Sequence, residues 1–254
     1  PKAVLDSKTT APKDSELYHH AFYEAPSIRK IGDLYYLVYS SGENNELAYA
    51  ISIYPDRDFR YRGVIISNSD LGYKGNTIPK VPAGTIHGGI ECVNEQWYVF
   101  YHRCTNNTDF SRQACAEPIE ILPDGSIPQV EITTQGLSGR SIPAKGDLWA
   151  AYACNLTCGK AIKLGIGKQQ TQPRIDESEG EVYVSDLLDN TQLGYKYLDF
   201  QGIQKIGTTY RGAGEGVIEV RMQENGNSIG TIPIQPSLHW TQTSGKVALN
   251  GIHA

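Results

Sequence analysis

Short runs of β-branched and aromatic residues, bounded by Gly, Asp, Asn or Pro, dominate the hydrophobic pattern of this chain. Such runs predict β-strands joined by turns, and no amphipathic helical period extends beyond two turns. In the first part of the chain the predicted strands are residues 34–40, 46–52, 59–67, 88–93, 96–102, 114–122 and 129–133. The pattern therefore predicts an all-β protein.

Part of this pattern repeats. Residues 27–39 (SIRKIGDLYYLVY) resemble residues 89–101 (GIECVNEQWYVFY), at an offset of 62 residues. Both segments consist of a strand, a two-residue polar turn and an aromatic strand that ends in Tyr. A repeated meander of about four strands is typical of a propeller blade. The blades would span residues 27–67 and 89–133, and a third would begin near residues 148–154.

The composition changes at residues 168–173, a polar stretch with three Gln that predicts a linker. The later strand signals are shorter, at residues 181–184, 193–200, 205–210 and 216–222, and glycine-rich turns separate them. This spacing is typical of an antiparallel sandwich. We place the domain boundary near residue 170, which gives a propeller part at residues 1–169 and an incomplete β-sandwich at residues 170–254.

The charge balance argues against nucleic acid as a partner. The 254 residues carry 23 Lys and Arg against 28 Asp and Glu, for a formal net charge of −5, and nucleic-acid binders usually show a basic face. No apolar stretch is long enough to predict a membrane span. The polar start at Pro1 does not resemble a signal peptide, and without an initiator Met we expect that an upstream segment is missing.

The cysteines predict neither a disulfide framework nor a zinc site, because their number is odd and they lack paired CxxC spacing. They are Cys92, Cys104, Cys115, Cys154 and Cys158. Buried thiols are the simpler interpretation, and the last two could form a disulfide only if the intervening turn allows it. Asn106 and Asn155 begin short matches to the glycosylation pattern, which do not determine the compartment.

Glu24 is the candidate acid. It lies in the run HAFYEAPSIRK of residues 20–30, where Phe22 and Tyr23 precede it and a strand follows. Aromatic neighbours would shield the carboxyl from water and favour its protonated form, which a general acid needs. Aromatic rings beside a carboxylate also suit a sugar pocket, so Phe22 is a candidate substrate contact. The alternative is a solvated loop glutamate without chemistry.

His87 is the second candidate, in the segment TIHGG just before the first strand of the next predicted blade. If the blades are equivalent, His87 and Glu24 project to the same end of the central channel. Gly88 and Gly89 would let backbone or ligand approach closely. The alternative is a structural histidine with its hydrogen bonds satisfied.

Other chemistry-bearing patterns are weaker. His19 and His20 are adjacent on an extended chain and point opposite ways, which argues against a metal pair. Residues 212–216 (GAGEG) predict a turn between strands, since no helix follows as a nucleotide-binding motif requires. Trp240 is either a platform for sugar stacking or a core residue of the sandwich. No Ser-His-Asp order, P-loop or HExxH motif is present.

Several of these segments together resemble glycoside hydrolase family 43, the arabinofuranosidase and β-xylosidase group. The matching segments are residues 22–30, 54–59, 87–92, 96–103 and 110–121, in the family's order. The part beyond residue 170 is similar to a family 6 carbohydrate-binding module, through residues 193–197 and 210–214. The resemblance implies a five-bladed propeller, of which this chain would hold about three blades, and hydrolysis with inversion.

The family uses a general base Asp from the first blade, a pKa-modulating Asp from the second and a general acid Glu from the third. Glu24 matches the Glu position. His87 matches a fourth-blade His near the sugar and, in some members, near a central cation, so calcium at the propeller centre is an expected option and no other cofactor is required. Asp6 and Asp14 match neither aspartate motif, and at residues 251–254 the sandwich would still need further strands. We therefore expect a chain that is truncated at both ends and inactive alone.

The resemblance favours hydrolysis of terminal α-L-arabinofuranosyl or β-D-xylosyl linkages, with arabinoxylan, xylan or arabinan oligosaccharides as partners. The alternatives are a non-catalytic polysaccharide-binding protein and a structural propeller. An extracellular or periplasmic location is favoured over others.

Overall fold

A computed structural model describes residues 3–43, 45–82, 84–159 and 172–249 and shows an almost entirely β-stranded chain. Its strands are β1 (Phe22–Ile31), β2 (Leu34–Ser41), β3 (Glu46–Ser52), β4 (Arg60–Ser67), β5 (Gly89–Val93), β6 (Gln96–Cys104), β7 (Arg112–Ile119), β8 (Ile142–Pro143), β9 (Asn155–Thr157), β10 (Arg174–Ser178), β11 (Glu181–Ser185), β12 (Gln192–Gly194), β13 (Leu198–Asp199), β14 (Lys205–Gly212), β15 (Gly216–Arg221), β16 (Ser228–Ile234) and β17 (Ser237–Lys246). The all-β prediction is confirmed.

Helical structure in these ranges is limited to single turns. The α-helix α1 spans Glu16–His19, and 3-10 helices cover Tyr73–Gly75, Gly136–Ser138 and Ala150–Tyr152. None of the described helices is long and apolar enough to cross a membrane.

Strands β1 to β4 form one antiparallel meander in sequence order, as the first predicted blade requires. Strand β2 is buried on both faces, which explains its nearly continuous apolar sequence. Tyr36 and Val38 enter the main core, whereas Leu37 and Tyr39 belong to a second cluster on the opposite face. This sheet is therefore packed on both sides.

Strands β5 to β7 form a second antiparallel sheet, with three strands instead of the expected four. Residues 129–133 do not form the predicted strand, because their backbone groups bond elsewhere. The Val130 amide donates to the Ile65 carbonyl in β4, and the Thr133 amide donates to the carboxylate of Glu117. The strand expected near residues 148–154 is also wrong, since a 3-10 helix occupies its centre.

The contacts divide the chain into two compact units. The first contains residues 1–139 and 149–196, and the second contains residues 140–148 and 197–254. The division thus falls after Lys196 and not near residue 170, because the hairpin of β10 and β11 packs Ile175, Val182 and Val184 against the main core. The predicted linker at residues 168–173 lies largely outside the described residues. The propeller and module assignments of the two parts stay predictions.

The second unit is built from paired strands. Strand β14 pairs antiparallel with β17, and β15 pairs with β16. The two strand pairs meet at a glycine: a Cβ on Gly245 in β17 would lie 1.8 Å from the carbonyl oxygen of Thr231 in β16. Residues 212–216 form the turn between β14 and β15, as predicted, and Leu238 is strongly exposed.

Candidate functional site

Glu24 and His87 contact each other in the first unit. Nε2 of His87 lies 2.9 Å from Oε1 of Glu24. The two side chains keep 42% and 33% of their surface exposed, in that order. The structure therefore brings together the two residues that the repeat placed at one end of the blades, and it leaves their contact accessible to a ligand.

The expected aromatic shield around Glu24 is not formed. Tyr23 is strongly exposed, and Phe22 packs against Tyr39 at a ring-centroid distance of 5.7 Å. The Glu24 carboxylate contacts the imidazole of His87 and is not enclosed by aromatic rings. Phe22 thus contributes to the second hydrophobic cluster, and its role as a substrate contact stays a prediction.

An irregularity in β1 sets the direction of Glu24. The register between β1 and β2 shifts on both sides of this residue, which still pairs with Ser40. Ala25 has φ of 57°, in the left-handed region that is uncommon for a residue with a Cβ. Such strained positions next to a candidate acid are typical of functional sites.

Ser40 also fixes the segment that carries His87. Its buried hydroxyl donates to the carbonyl oxygen of Ile86, the residue directly before His87. The same residue in β2 therefore pairs with Glu24 through its main chain and holds the neighbour of His87 through its side chain. This double attachment accounts for the short distance between the two candidates.

Gly88 and Gly89 allow the close approach expected from the sequence. A Cβ on Gly88 would lie 2.0 Å from the carbonyl oxygen of Phe100, and one on Gly89 would lie 2.6 Å from the Ser27 hydroxyl. Both distances are shorter than any real Cβ contact. The two glycines therefore let the start of β5 lie against β6 and β1.

His102 supports His87 by hydrogen bonding, and no sequence motif marks it as a site residue. The His87 amide donates to Nδ1 of His102 at 3.3 Å, and Nε2 of His102 lies 3.3 Å from the Thr85 hydroxyl. Burial, followed by the positive charges of Arg112 and His87, lowers the pKa of His102 to about 4. His102 is therefore neutral at pH 7, with Nδ1 as the acceptor and Nε2–H as the donor to Thr85.

Asn68 connects the two sides of this arrangement. Its side-chain amide donates to the carbonyl oxygens of Thr85 and His102, at 3.1 and 2.9 Å. Asn68 is buried, and its amide N–H groups would be costly to leave unpaired there, whereas its Oδ1 accepts no hydrogen bond within the described residues. In the sequence His102 follows the aromatic run of the second repeat, whereas Asn68 follows the last strand of the first repeat.

The remaining candidates lie elsewhere. Trp240 belongs to the second unit, is partly exposed, and carries the Arg211 guanidinium 4.8 Å from its ring centroid; its role as a sugar platform is untested. His20 bonds Glu46 through Nδ1 at 2.5 Å, and this hydrogen bond raises the pKa of His20. His19 is exposed, which agrees with the argument against a metal pair.

The five cysteines are all free thiols, so the optional bridge between Cys154 and Cys158 is not formed. Of the two glycosylation matches, Asn106 uses its side-chain oxygen to accept from the Glu177 amide at 2.6 Å. Asn155 is partly buried in β9. Both side chains are thus embedded in the first unit.

The donor set near His87 does not fit calcium by itself. Calcium takes 6–8 oxygen ligands, and among the described residues no group of three or more His, Cys, Asp or Glu could hold a metal ion. Nε2 of His87 faces Glu24.

Comparisons with known proteins give a consistent class of relatives. The chain is 44% identical over 248 residues to a xylosidase/arabinosidase of Thermoclostridium stercorarium, covering 92% of this chain and 52% of that protein. It is 31% identical over 136 residues to a β-xylosidase of Xylanibacter ruminicola, covering 52% of this chain and 38% of that protein. The chain thus spans about half of the first relative and less of the second. No protein-family model matches it.

Among solved structures, one similar chain is a family 43 β-xylosidase/α-arabinofuranosidase from a compost microbial metagenome, determined with xylotriose in a calcium-free form. It is 30% identical, with a TM-score of 0.37, and the match covers 44% of this chain and 32% of that one.

Proposed function

This chain belongs to glycoside hydrolase family 43, and on that premise we propose that it forms part of a glycosidase of plant hemicellulose. The substrates would be terminal β-D-xylosyl or α-L-arabinofuranosyl linkages, and the site would be the Glu24–His87 pair. The observation that carries the proposal is the 2.9 Å contact between Glu24 in β1 and His87 just before β5. Its exposure leaves room for a sugar.

Glu24 is the general acid in this proposal. Cleavage of a glycosidic bond needs a proton on the departing oxygen, and a carboxylic acid placed beside that oxygen supplies it. His87 uses its Nε2 to hold Oε1 of Glu24, so Oε2 is the oxygen that would face the leaving group. His102 and Asn68 hold the main chain around His87, which keeps the pair in place before substrate arrives.

Inversion requires a second carboxylate that activates water on the opposite face of the sugar, about 6.5–9.5 Å from the acid. We assign that base, and the aspartate that modulates the acid, to sequence outside this chain. The 254-residue chain alone would then be inactive or nearly so. A calcium ion near His87 would likewise need oxygen ligands beyond the described residues.

The test compares leaving groups. In the complete protein that contains this chain, Glu24→Gln should lower kcat for methyl and phenyl xylosides by about 10²–10⁴-fold, the usual contribution of a general acid. A dinitrophenyl xyloside needs no protonation, because its leaving anion is stable, and should lose far less. The exposed Glu95→Gln serves as the control, and arabinofuranosides are tested in parallel.

An equal loss for all leaving groups would reject the acid role. No turnover in the complete protein, combined with retained binding of xylan, would instead support the alternative of a non-catalytic polysaccharide-binding protein. Nuclear magnetic resonance of the first-formed sugar anomer decides between inversion and retention.

A further inference from the structure

A cleft of about 300 Å³ lies in the first unit, away from the residues selected from the sequence. Its walls come from the ends of β6 and β7, from the hairpin of β10 and β11, and from the 3-10 helix at Ala150–Tyr152. The residues that define its chemistry are Trp149, Tyr152, Arg112, Gln113 and Glu177.

Two large aromatic side chains are left in water at this cleft. Trp149 is 52% exposed and Tyr152 is 45% exposed. They are three residues apart on a 3-10 turn, a spacing that places side chains on the same side. Both rings line the cleft. Clustered exposed aromatics mark binding sites more often than isolated ones do.

The turn that carries these rings is held rigidly from below. Buried Arg103 donates to the carbonyl oxygens of Ala151 and Ala153, and Gln113 also donates to Ala151 at 3.1 Å. The Tyr195 hydroxyl donates to the carbonyl oxygen of Ala150 at 3.1 Å. The exposed rings therefore have a fixed backbone, and a ligand that binds them loses little free energy to ordering the turn.

The cleft opens at the same end of the second sheet as the candidate site. His87 precedes β5, β6 ends at Cys104 and β7 begins at Arg112. Because the strands are antiparallel, these three positions lie at the same end of the sheet. The charge of Arg112 also acts on His102, which supports His87. An extended ligand that leaves the Glu24–His87 pair could thus continue into the cleft.

We propose that this cleft is a binding subsite for a β-1,4-linked xylose chain. A pyranose ring has an apolar C–H face and a rim of hydroxyls, which matches an aromatic surface flanked by polar groups. Trp149 and Tyr152 would stack on the sugar rings, and Arg112 and Glu177 would bond their hydroxyls. The choice of xylose rests on the function proposed above, whereas the existence of the subsite does not.

Titration of the chain with xylohexaose, followed by calorimetry and by the indole N–H resonances, tests the proposal. Trp149→Ala and Tyr152→Ala should each weaken binding about tenfold or more, while Trp149→Phe and Tyr152→Phe retain a ring and should lose less. Neither change removes the main-chain carbonyls that fix the turn. Phe110→Ala, at a residue that is 96% exposed and outside the cleft lining, is the control.

Xylohexaose binding by the chain and turnover by the complete protein are measured independently, which separates the subsite from the catalytic proposal. Loss of turnover in the complete protein upon Glu24→Gln supports the catalytic proposal. Binding of xylohexaose by the chain without any turnover by the complete protein rejects only the catalytic proposal. The subsite is rejected if the unchanged chain shows no saturable binding, or if Trp149→Ala binds as tightly as Phe110→Ala. Tighter binding of cellohexaose than of xylohexaose would overturn the assignment to xylose.

Discussion

Nε2 of His87 and Oε1 of Glu24 lie 2.9 Å apart although 63 residues separate them in the chain. The contact joins the first strand of one sheet to the residues that precede the first strand of the next. This contact supports a site at the end of the sheets that the two repeats share.

Replacing His87 tests whether its Nε2 positions the acid. The amide nitrogen of Gln can take the place of Nε2, whereas the shorter Asn cannot reach Glu24. We expect His87→Gln to keep about tenfold more activity than His87→Asn towards phenyl xyloside, since one hydrogen bond to a charged group contributes about 1.5–3 kcal/mol. Steady-state kinetics of the complete protein measure this. Equal activities of the two variants would contradict a positioning role.

His102 offers a matched pair of variants. Asn places its side-chain oxygen near the position of Nδ1 and can still accept from the His87 amide, while Gln reproduces only the Nε2–H that bonds Thr85. We expect His102→Gln to shift the amide resonance of His87 and to lower kcat by a larger factor than it changes KM. His102→Asn should preserve both. The same resonance shift in both variants would mean that the Nδ1 acceptor has no special role.

Gly88→Ala should destabilise the first unit strongly. The added Cβ would meet a main-chain oxygen at 2.0 Å, so strand β6 would have to move. Overpacking of this kind costs about 3 kcal/mol. Denaturant unfolding measures the change, and Gly42→Ala, where nothing lies within 4 Å of the added carbon, is the control. A similar midpoint for both variants would refute the close approach.

Glu117 predicts a stability that falls as the pH rises. Burial raises its pKa from 4.5 to about 7, while the hydroxyl and amide of Thr133 oppose that shift. Between these two values the folded state keeps a proton that the unfolded state releases. The resulting stabilisation is fully present below pH 4.5 and is lost as the pH rises through about 7. The total loss is about 3 kcal/mol.

Glu117→Gln should remove this dependence, because the neutral amide keeps an acceptor for Thr133 without a charge. We expect the variant to be more stable than the parent at pH 8 and similar to it at pH 5, as measured by thermal unfolding. The exposed neighbour Glu120→Gln is the control and should retain the slope of the parent. A parent whose stability is flat between pH 5 and 8 would contradict the burial argument.

Local patterns predicted most of the strands in the first sheet and all three strands of the second. The hairpin of β5 and β6 was readable because Asn94 and Glu95 supply a two-residue turn, and both adopt positive φ, as the favoured hairpin turn requires. The strand expected at residues 129–133 failed for a non-local reason. Its Val130 and Thr133 amides donate instead to a carbonyl of β4 and to Glu117. No local sequence pattern predicts hydrogen bonds to such distant residues.

The strand expected near residues 148–154 failed in the same way. Apolar and aromatic residues there have high strand propensity. The buried guanidinium of Arg103, however, donates to the carbonyl oxygens of Ala151 and Ala153, which favours a 3-10 turn. Strand propensity depends strongly on such context. Trp149 and Tyr152 flank this turn and are exposed. No local sequence pattern predicts that exposure, so the proposed subsite could not be predicted from the sequence.

The sequence by itself determined that the chain is β-rich and repeated, and that Glu24 and His87 each lie just before one of the two repeats. These properties depend on alternation and turn residues, which act over a few neighbours. Only the tertiary structure decided that the two side chains touch and that His102 and Asn68 support them. It also decided that Glu24 stays hydrated. Each of these depends on which distant segments share a hydrogen bond or exclude water, and that is fixed only when the sheets pack.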